Sequence, residues 1–212
     1  MFCAGRRAAL LALAAGGVIA VCPAIAQQVP QPGSDYRLIQ PQPVSASGRI
    51  EVLDFFYYGC GYCNELRPRL ESWQKRKPED VVFRHMPVLR RESWAPSAKL
   101  FFTLQAMHAE RLHGVAYASY HEDDLDMRQE SVIAEWASRQ GLDAEKFMSI
   151  YRSDETRQKV ERARKITADY EIQATPSLVV DGKYLIEGST PETIPLLDSV
   201  IQLAREQRAA NK

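Results

Sequence analysis

The spacing of apolar and polar positions changes character along this chain. Ile50-Glu51-Val52-Leu53-Asp54-Phe55-Phe56 is apolar, aromatic and β-branched, and predicts a buried strand. Asn64 to Lys77, rich in Leu, Glu, Arg, Gln and Lys, predicts a helix, with Pro68 expected to kink it. Asp80 to His85 predicts a second short strand, ended by Pro87. From about Glu92 the pattern is helical. Pro96 suits a first turn, and Leu100, Phe101, Leu104 and Met107 recur at helical spacing up to Gly114. Val115 to Tyr120 is a weak segment. Ser131, Asp143 and Ser153 are expected to cap three further helices, the first closed by Gly141. The last of these places Val160, Ala163, Thr167 and Tyr170 on one face. Strand signals return at Ser177 to Ile186, where Asp181-Gly182 is a two-residue hairpin signature. A final helix, starting near Thr190-Pro191 or near Pro195, presents Ile194, Leu197, Ile201 and Ala204. Ahead of all this, residues 27–48 carry Pro30, Pro32, Pro41 and Pro43 and read as an extended arm, with Tyr36 to Ile39 as a short edge strand. The order strand, helix, strand, helical block, hairpin, helix predicts an α/β sheet interrupted by a helical insertion.

The start of the chain changes the picture of where it works. Arg6 and Arg7, the uncharged run Ala8 to Val21, and Ala24-Ile25-Ala26 ahead of Gln27 form a secretory signal peptide over residues 1–26, too short for a stable membrane span. A lipoprotein signal using Cys22 is disfavoured by Val21, where a small residue is expected. Removal of residues 1–26 leaves 186 residues whose two cysteines are Cys60 and Cys63. It also leaves 25 Lys and Arg against 27 Asp and Glu, a formal charge of −2 that gives no reason to expect nucleic acid as a partner. Two cysteines in an exported chain point to a working redox pair and not to a disulfide framework.

Those cysteines lie in Tyr57-Tyr58-Gly59-Cys60-Gly61-Tyr62-Cys63, between the first strand and the first helix. The first N–H groups of a helix lack partners, and the helix dipole is positive there, so a thiolate at Cys60 is stabilised. The spacing lets the two sulfurs join within one turn. Half a zinc site, completed by His85, His108, His113 or His121, is the bland alternative; no second C-x-x-C or H-x-x-x-H spacing accompanies it. The four histidines are expected to be structural or at the surface, Trp94 and Trp136 to pack helices, and Glu122-Asp123-Asp124 to be a solvated loop. Asp54 is a charged residue in an apolar strand. Buried there, it is able to exchange protons with Cys63, and Arg84 on the neighbouring strand is a candidate ionic partner, a solvated strand end being the other reading of Arg84.

Val52-Leu53-Asp54-Phe55-Phe56, Cys60-x-x-Cys63, the junction from Pro87-Val88 to Trp94, and Ala174-Thr175-Pro176-Ser177 together resemble the periplasmic thiol:disulfide interchange proteins of the DsbA type. The resemblance covers essentially the whole mature chain. It implies a thioredoxin fold with an inserted α-helical domain, divided as residues 27–90, 91–166 and 167–212. It implies catalytic roles for Cys60, Cys63 and Asp54, a cis bond at Pro176, and substrate pairing to the backbone of Thr175. Gly61 and Tyr62 would tune the redox poise. Two features depart from the family's oxidases, which often carry Pro-His between the cysteines and Val before the cis-proline. Gly61-Tyr62 and Thr175 look more like the disulfide isomerases of the DsbC type, but residues 27–48 are too short to supply their dimerisation domain. The expectation is a monomeric periplasmic oxidase that donates its Cys60–Cys63 disulfide to exported proteins with free cysteines. A membrane quinone-linked partner of the DsbB type would reoxidise it, with no cofactor beyond the disulfide, no metal and no nucleic acid. An isomerase or reductase working from the dithiol is the alternative, and a non-catalytic metal-binding or chaperone module a third reading.

Overall fold

The computed structural model describes residues 29–45 and 48–211; the expected signal peptide, with Cys3 and Cys22, lies outside them. The elements run β1 (Arg37–Leu38), β2 (Ile50–Phe56), α1 (Gly61–Arg76), β3 (Val81–Pro87), α2 (Ala95–Ala106), α3 (His113–His121), α4 (Glu130–Arg139), α5 (Ala144–Tyr151), α6 (Asp154–Asp169), β4 (Ser177–Val180), β5 (Tyr184–Glu187) and α7 (Thr193–Ala210). The sheet order is β1-β5-β4-β2-β3. β2 is parallel to β3 and antiparallel to β4, and every one of its residues is buried. This is a thioredoxin-type α/β fold in which a helical block, α2 to α6, joins β3 to β4.

Strand alternation sorts β2 into two faces. Ile50 and Val52 pack with Leu66, Leu70 and Trp73 of α1 and with Leu197, Val200 and Ile201 of α7. Leu53 and Phe55 pack on the other face with Tyr170, Ile172 and Val179. The helical block has its own core, which reaches the sheet through Phe56, Tyr58 and Cys63. Helix α1 buries positions four and three apart, and Trp73 Nε1 donates to Asp198 Oδ1 of α7 at 2.7 Å.

Several expectations need correction. Helix α2 stops at Ala106, well short of Gly114, where the chain turns through His108 at φ 53°. The weak segment around Val115–Tyr120 is helical and forms α3, with Gly114 inside it. A Cβ on Gly114 would lie 3.1 Å from Arg67 Nη1, so glycine here lets α3 approach α1. Ser131 is not a cap: α4 begins at Glu130, after a turn held by Asp126, whose carboxylate accepts from Arg128 N at 3.1 Å and Gln129 Nε2 at 3.2 Å. Asp143 and Ser153 do cap α5 and α6, accepting from Lys146 N and Thr156 N. The hairpin loop is three residues, Asp181–Lys183, because Val180 pairs with Tyr184. Helix α7 starts at Thr193, between the two expected positions.

The arm crosses this hairpin. Gln42 N donates to Gly182 O at 2.9 Å, and a Cβ at Gly182 would collide with the Gln42 carbonyl oxygen. Gly182 also has φ +70°, which an L side chain rarely adopts. Gly182→Ala is expected to destabilise the protein by about 2 kcal/mol or more. Gly61→Ala, in open space on the first turn of α1, should leave stability unchanged or slightly raised. Urea midpoints for the two variants check this, and equal midpoints would contradict it.

Candidate active site

β2 ends and α1 begins within a few residues, and Cys60 is the N-cap between them, at φ −93°, ψ 113°. Its sulfur accepts from Cys63 N at 3.4 Å and its thiol donates to Thr175 O at 3.2 Å. Both cysteines are free thiols, Cys60 partly exposed and Cys63 buried. Cys63 enters α1 on the face that carries Leu66 and Leu70 into the core, whereas Gly61 and Tyr62 point outward, Tyr62 with 65 % of its surface exposed. The Thr175–Pro176 bond is cis, Pro176 is buried and Thr175 partly exposed.

The two sulfurs titrate in opposite directions. The hydrogen bond from the Cys63 thiol is the main cause lowering Cys60 to about 6; Thr175 and the N–H groups of Cys63 and Tyr62 add to it, and burial opposes it. Burial pushes Cys63 well above a free thiol, and its hydrogen bond to Cys60 and the charges of Cys60 and Asp54 push the same way. One sulfur is thus a stabilised thiolate at neutral pH and its neighbour a thiol.

Asp54 is buried and points to the α1 side of β2. Its partner is not Arg84. The parallel register sets Asp54 against His85 and Leu53 against Arg84, so Arg84 projects from the opposite face. There Arg84 Nη1 bonds Ser45 Oγ at 2.6 Å and lies 3.7 Å from the buried Glu51. His85 Nδ1 meets Asp54 Oδ2 at 2.8 Å. The His85 ring lies 4.5 Å from that of His113, and His113 Nδ1 is 2.9 Å from the Tyr58 hydroxyl. Burial, then the positive charges of His85 and Arg67, lower His113 well below an ordinary histidine. Of the two expected places, structural or at the surface, His85 and His113 take the first, half-buried and packed around the site. Equal counting back from Phe56 and Pro87, the aligned strand ends, was the signal that marks His85 as Asp54's neighbour. His121 bonds the Tyr58 carbonyl at 2.8 Å, and Trp94 stacks on Tyr57 at 4.1 Å. Among the described residues no cluster of three or more His, Cys, Asp or Glu is arranged to hold a metal ion.

A family model described as a DSBA-like thioredoxin domain matches residues 51–197. The chain belongs to this family. It is 33% identical over 186 residues to the thiol:disulfide interchange protein DsbA of Pseudomonas aeruginosa, covering 85% of this chain and 87% of that one. The protein of the same name from Burkholderia cepacia is 32% identical over 186 residues, covering 84% and 88%. The crystal structure of Pseudomonas aeruginosa DsbA has a TM-score of 0.77 at 32% identity, over 84% of this chain and 95% of that one. The Xylella fastidiosa DsbA structure, at 24% identity and a TM-score of 0.78, shares the fold.

Alkylation of Cys60 by iodoacetamide is expected to rise with pH and reach half its maximum near pH 6, because the thiolate forms as pH climbs through the folded value of about 6. Cys63 should stay unmodified at neutral pH. A midpoint near that of a free thiol would contradict the stabilisation described above.

Proposed function

We propose that this thiol–disulfide oxidoreductase works in the oxidising direction, donating its Cys60–Cys63 disulfide to exported proteins with free cysteines. The observation that carries the reading is the asymmetry of the two sulfurs. A substrate thiolate attacks the accessible Cys60 and Cys63 departs. In the resulting mixed disulfide, Cys63 is buried and held as a thiol, so it attacks back slowly. A second substrate thiolate meets a good leaving group in Cys60, whose thiolate is stable at neutral pH. Both features favour release of oxidised substrate. Asp54 is the proposed proton donor and acceptor for Cys63. Thr175, exposed beside Pro176, is the proposed backbone edge for an extended substrate. The names of the relatives and the signal-peptide features of residues 1–26 support a periplasmic site of action. Among the described residues no helix is long and apolar enough to cross a membrane. Reoxidation by a membrane partner of the DsbB type, a monomeric state, and division into residues 27–90, 91–166 and 167–212 complete the proposal.

Two experiments test it. Cys63→Ser should accumulate mixed disulfides with exported proteins through Cys60, whereas Cys60→Ser should accumulate few, because Cys63 is buried. Thiol trapping in cells should find wild-type Cys60 and Cys63 mostly oxidised. Equal trapping by both variants, or a mostly reduced wild-type pair, would overturn the assignment.

The poise follows from the same asymmetry. Ionisation of Cys60 stabilises the reduced form; this contribution is full above the free-thiol pKa and is lost as pH falls through about 6. Part of it comes from backbone N–H groups that any dipeptide supplies. Tyr62 adds only a hydroxyl on an exposed ring. Tyr62→His, which places a donor with partial positive charge beside the sulfur, should lower the Cys60 pKa and make the disulfide more oxidising. One pKa unit corresponds to about 1.4 kcal/mol, or about 30 mV for a two-electron couple. Equilibration with glutathione reads the change, and no shift would assign control of the poise elsewhere.

A further inference from the structure

The place that a side chain at Gly59 would take, directly ahead of Cys60, is filled by two tyrosines. A Cβ there would lie 2.6 Å from Tyr57 Cε1, 2.6 Å from Tyr120 Cζ and 2.7 Å from the Tyr120 hydroxyl oxygen. The two tyrosine hydroxyls are 3.3 Å apart. Both rings are held. Tyr57 is stacked on Trp94 with centroids 4.1 Å and planes 5° apart. Tyr120 comes from α3, beside His121, whose Nε2 is bonded to the Tyr58 carbonyl at 2.8 Å. Cys60 and Tyr120 pack against the same core, that of the helical block. We propose that Tyr120, backed by Tyr57, is a substrate-binding residue: its hydroxyl donates to a backbone carbonyl flanking the cysteine of a peptide joined to Cys60. The proposal deepens the docking reading given for Thr175 and rests on Cys60 being the sulfur that a substrate joins.

Three observations carry this. The first is a count of donors. Two phenols have two O–H groups, and the bond between them uses one. Tyr57 is buried, and burial, then its bond to Tyr120, raises its pKa, whereas Tyr120 is half-buried. Tyr57 therefore donates to Tyr120, and the donor left over is on the more open ring. The second is placement. β4 and β3 flank β2 on opposite sides. The chain ahead of β4 brings Thr175 to Cys60, and the chain after β3 brings Trp94 to Tyr57. A peptide across Cys60 thus meets a backbone edge on one side and the hydroxyl pair on the other.

The third is charge. Arg128 and Asp126 are the charged groups whose fields reach Tyr57, and they satisfy each other through two bonds, Nε to Oδ1 at 2.7 Å and Nη2 to Oδ2 at 3.1 Å. This rim thus offers a hydroxyl donor with no unpaired charge beside it. Its complement is a peptide carbonyl, which every protein substrate has, and not a side chain of one sign. The stack on Trp94 and the contact with Gly59 fix the donor before a substrate arrives, so little side-chain entropy is lost when the bond forms.

The test uses the Cys63→Ser protein, in which a thiol joined to Cys60 stays joined. A synthetic peptide with one cysteine is equilibrated against 2-mercaptoethanol, which has no peptide carbonyl, and mass spectrometry reads which of them Cys60 holds. One thiol replaces the other, so the number of thiols and disulfides is unchanged and the equilibrium constant reads the peptide's remaining contacts. Adding Tyr120→Phe, which keeps the ring and removes the hydroxyl, is expected to lower that constant about 5-fold, the effect of one hydrogen bond. Peptides in which each bond flanking the cysteine is replaced in turn by a trans-alkene lack one carbonyl each. One of the two should lower the constant by a similar factor and erase the difference made by Tyr120→Phe. A constant unchanged by Tyr120→Phe, or lowered equally for the amide and both alkene peptides, would overturn the assignment. If no thiol joins Cys60, the role of Cys60 fails and the rim with it; joining with an unchanged constant removes the rim alone.

Discussion

The meeting of a fully buried strand with the unpaired N–H groups of a helix start is the constraint on which the rest of the structure depends. β2 is hydrogen-bonded on both sides and buried on both faces, so its end has little freedom. Helix α1 is fixed just as firmly, through Leu66, Leu70 and Trp73 in the core and the Trp73–Asp198 bond to α7. Cys60 caps the junction and inherits this rigidity. The Cys60 thiolate is stabilised first by the Cys63 thiol that the same helix holds beside it and then by Thr175 and the N–H groups of Cys63 and Tyr62, none of which is a charged residue between the cysteines.

The same strand carries two buried acids, and each is tolerated because β3 supplies a basic partner. Glu51 faces Arg84 and Ser45 on one side of the sheet, and Asp54 faces His85 on the other. An isolated carboxylate in that interior is too costly to remain charged. Parallel register delivers both partners at once, since the alternation of side chains on β2 and β3 is in step. The pairings differ in kind. Arginine stays charged and makes the first pair permanent, whereas histidine is able to gain and lose a proton. The histidine pair is the one that borders the space beside Cys63.

Much of this was legible in the sequence. The apolar run Ile50–Phe56, the cysteines after it and the Thr175-Pro176 pair before a hairpin gave the sheet's centre and its redox edge. Asp143 and Ser153 declared two helix starts because a side-chain cap is a local interaction. What escaped was non-local. Helix α3 has few large aliphatic residues, and its stability comes from packing on α1, which Gly114 permits. The start of α4 is set by an Asp126 turn and not by its own cap. Arg84 was the more basic neighbour of Asp54, but a one-residue offset in a strand reverses the face, and the register gave that position to His85.

These features divide the site between two sides of the molecule. The front carries the partly exposed Cys60, the exposed Tyr62 and the Thr175 carbonyl that accepts from the Cys60 thiol. The interior holds Cys63, Asp54 and His85 behind α1. The division follows from the helix itself. Residues three apart lie on one face of a helix, so the two sulfurs adjoin, Cys60 at the cap still partly exposed and Cys63 one turn further in and buried. Burial raises both thiols, but at Cys60 the hydrogen bonds with Cys63, Thr175 and the first N–H groups of α1 outweigh it, whereas at Cys63 burial prevails. A sulfur so placed must exchange a proton each time the disulfide opens or closes. Asp54 is the buried acid that β2 brings to the same inner space as that sulfur.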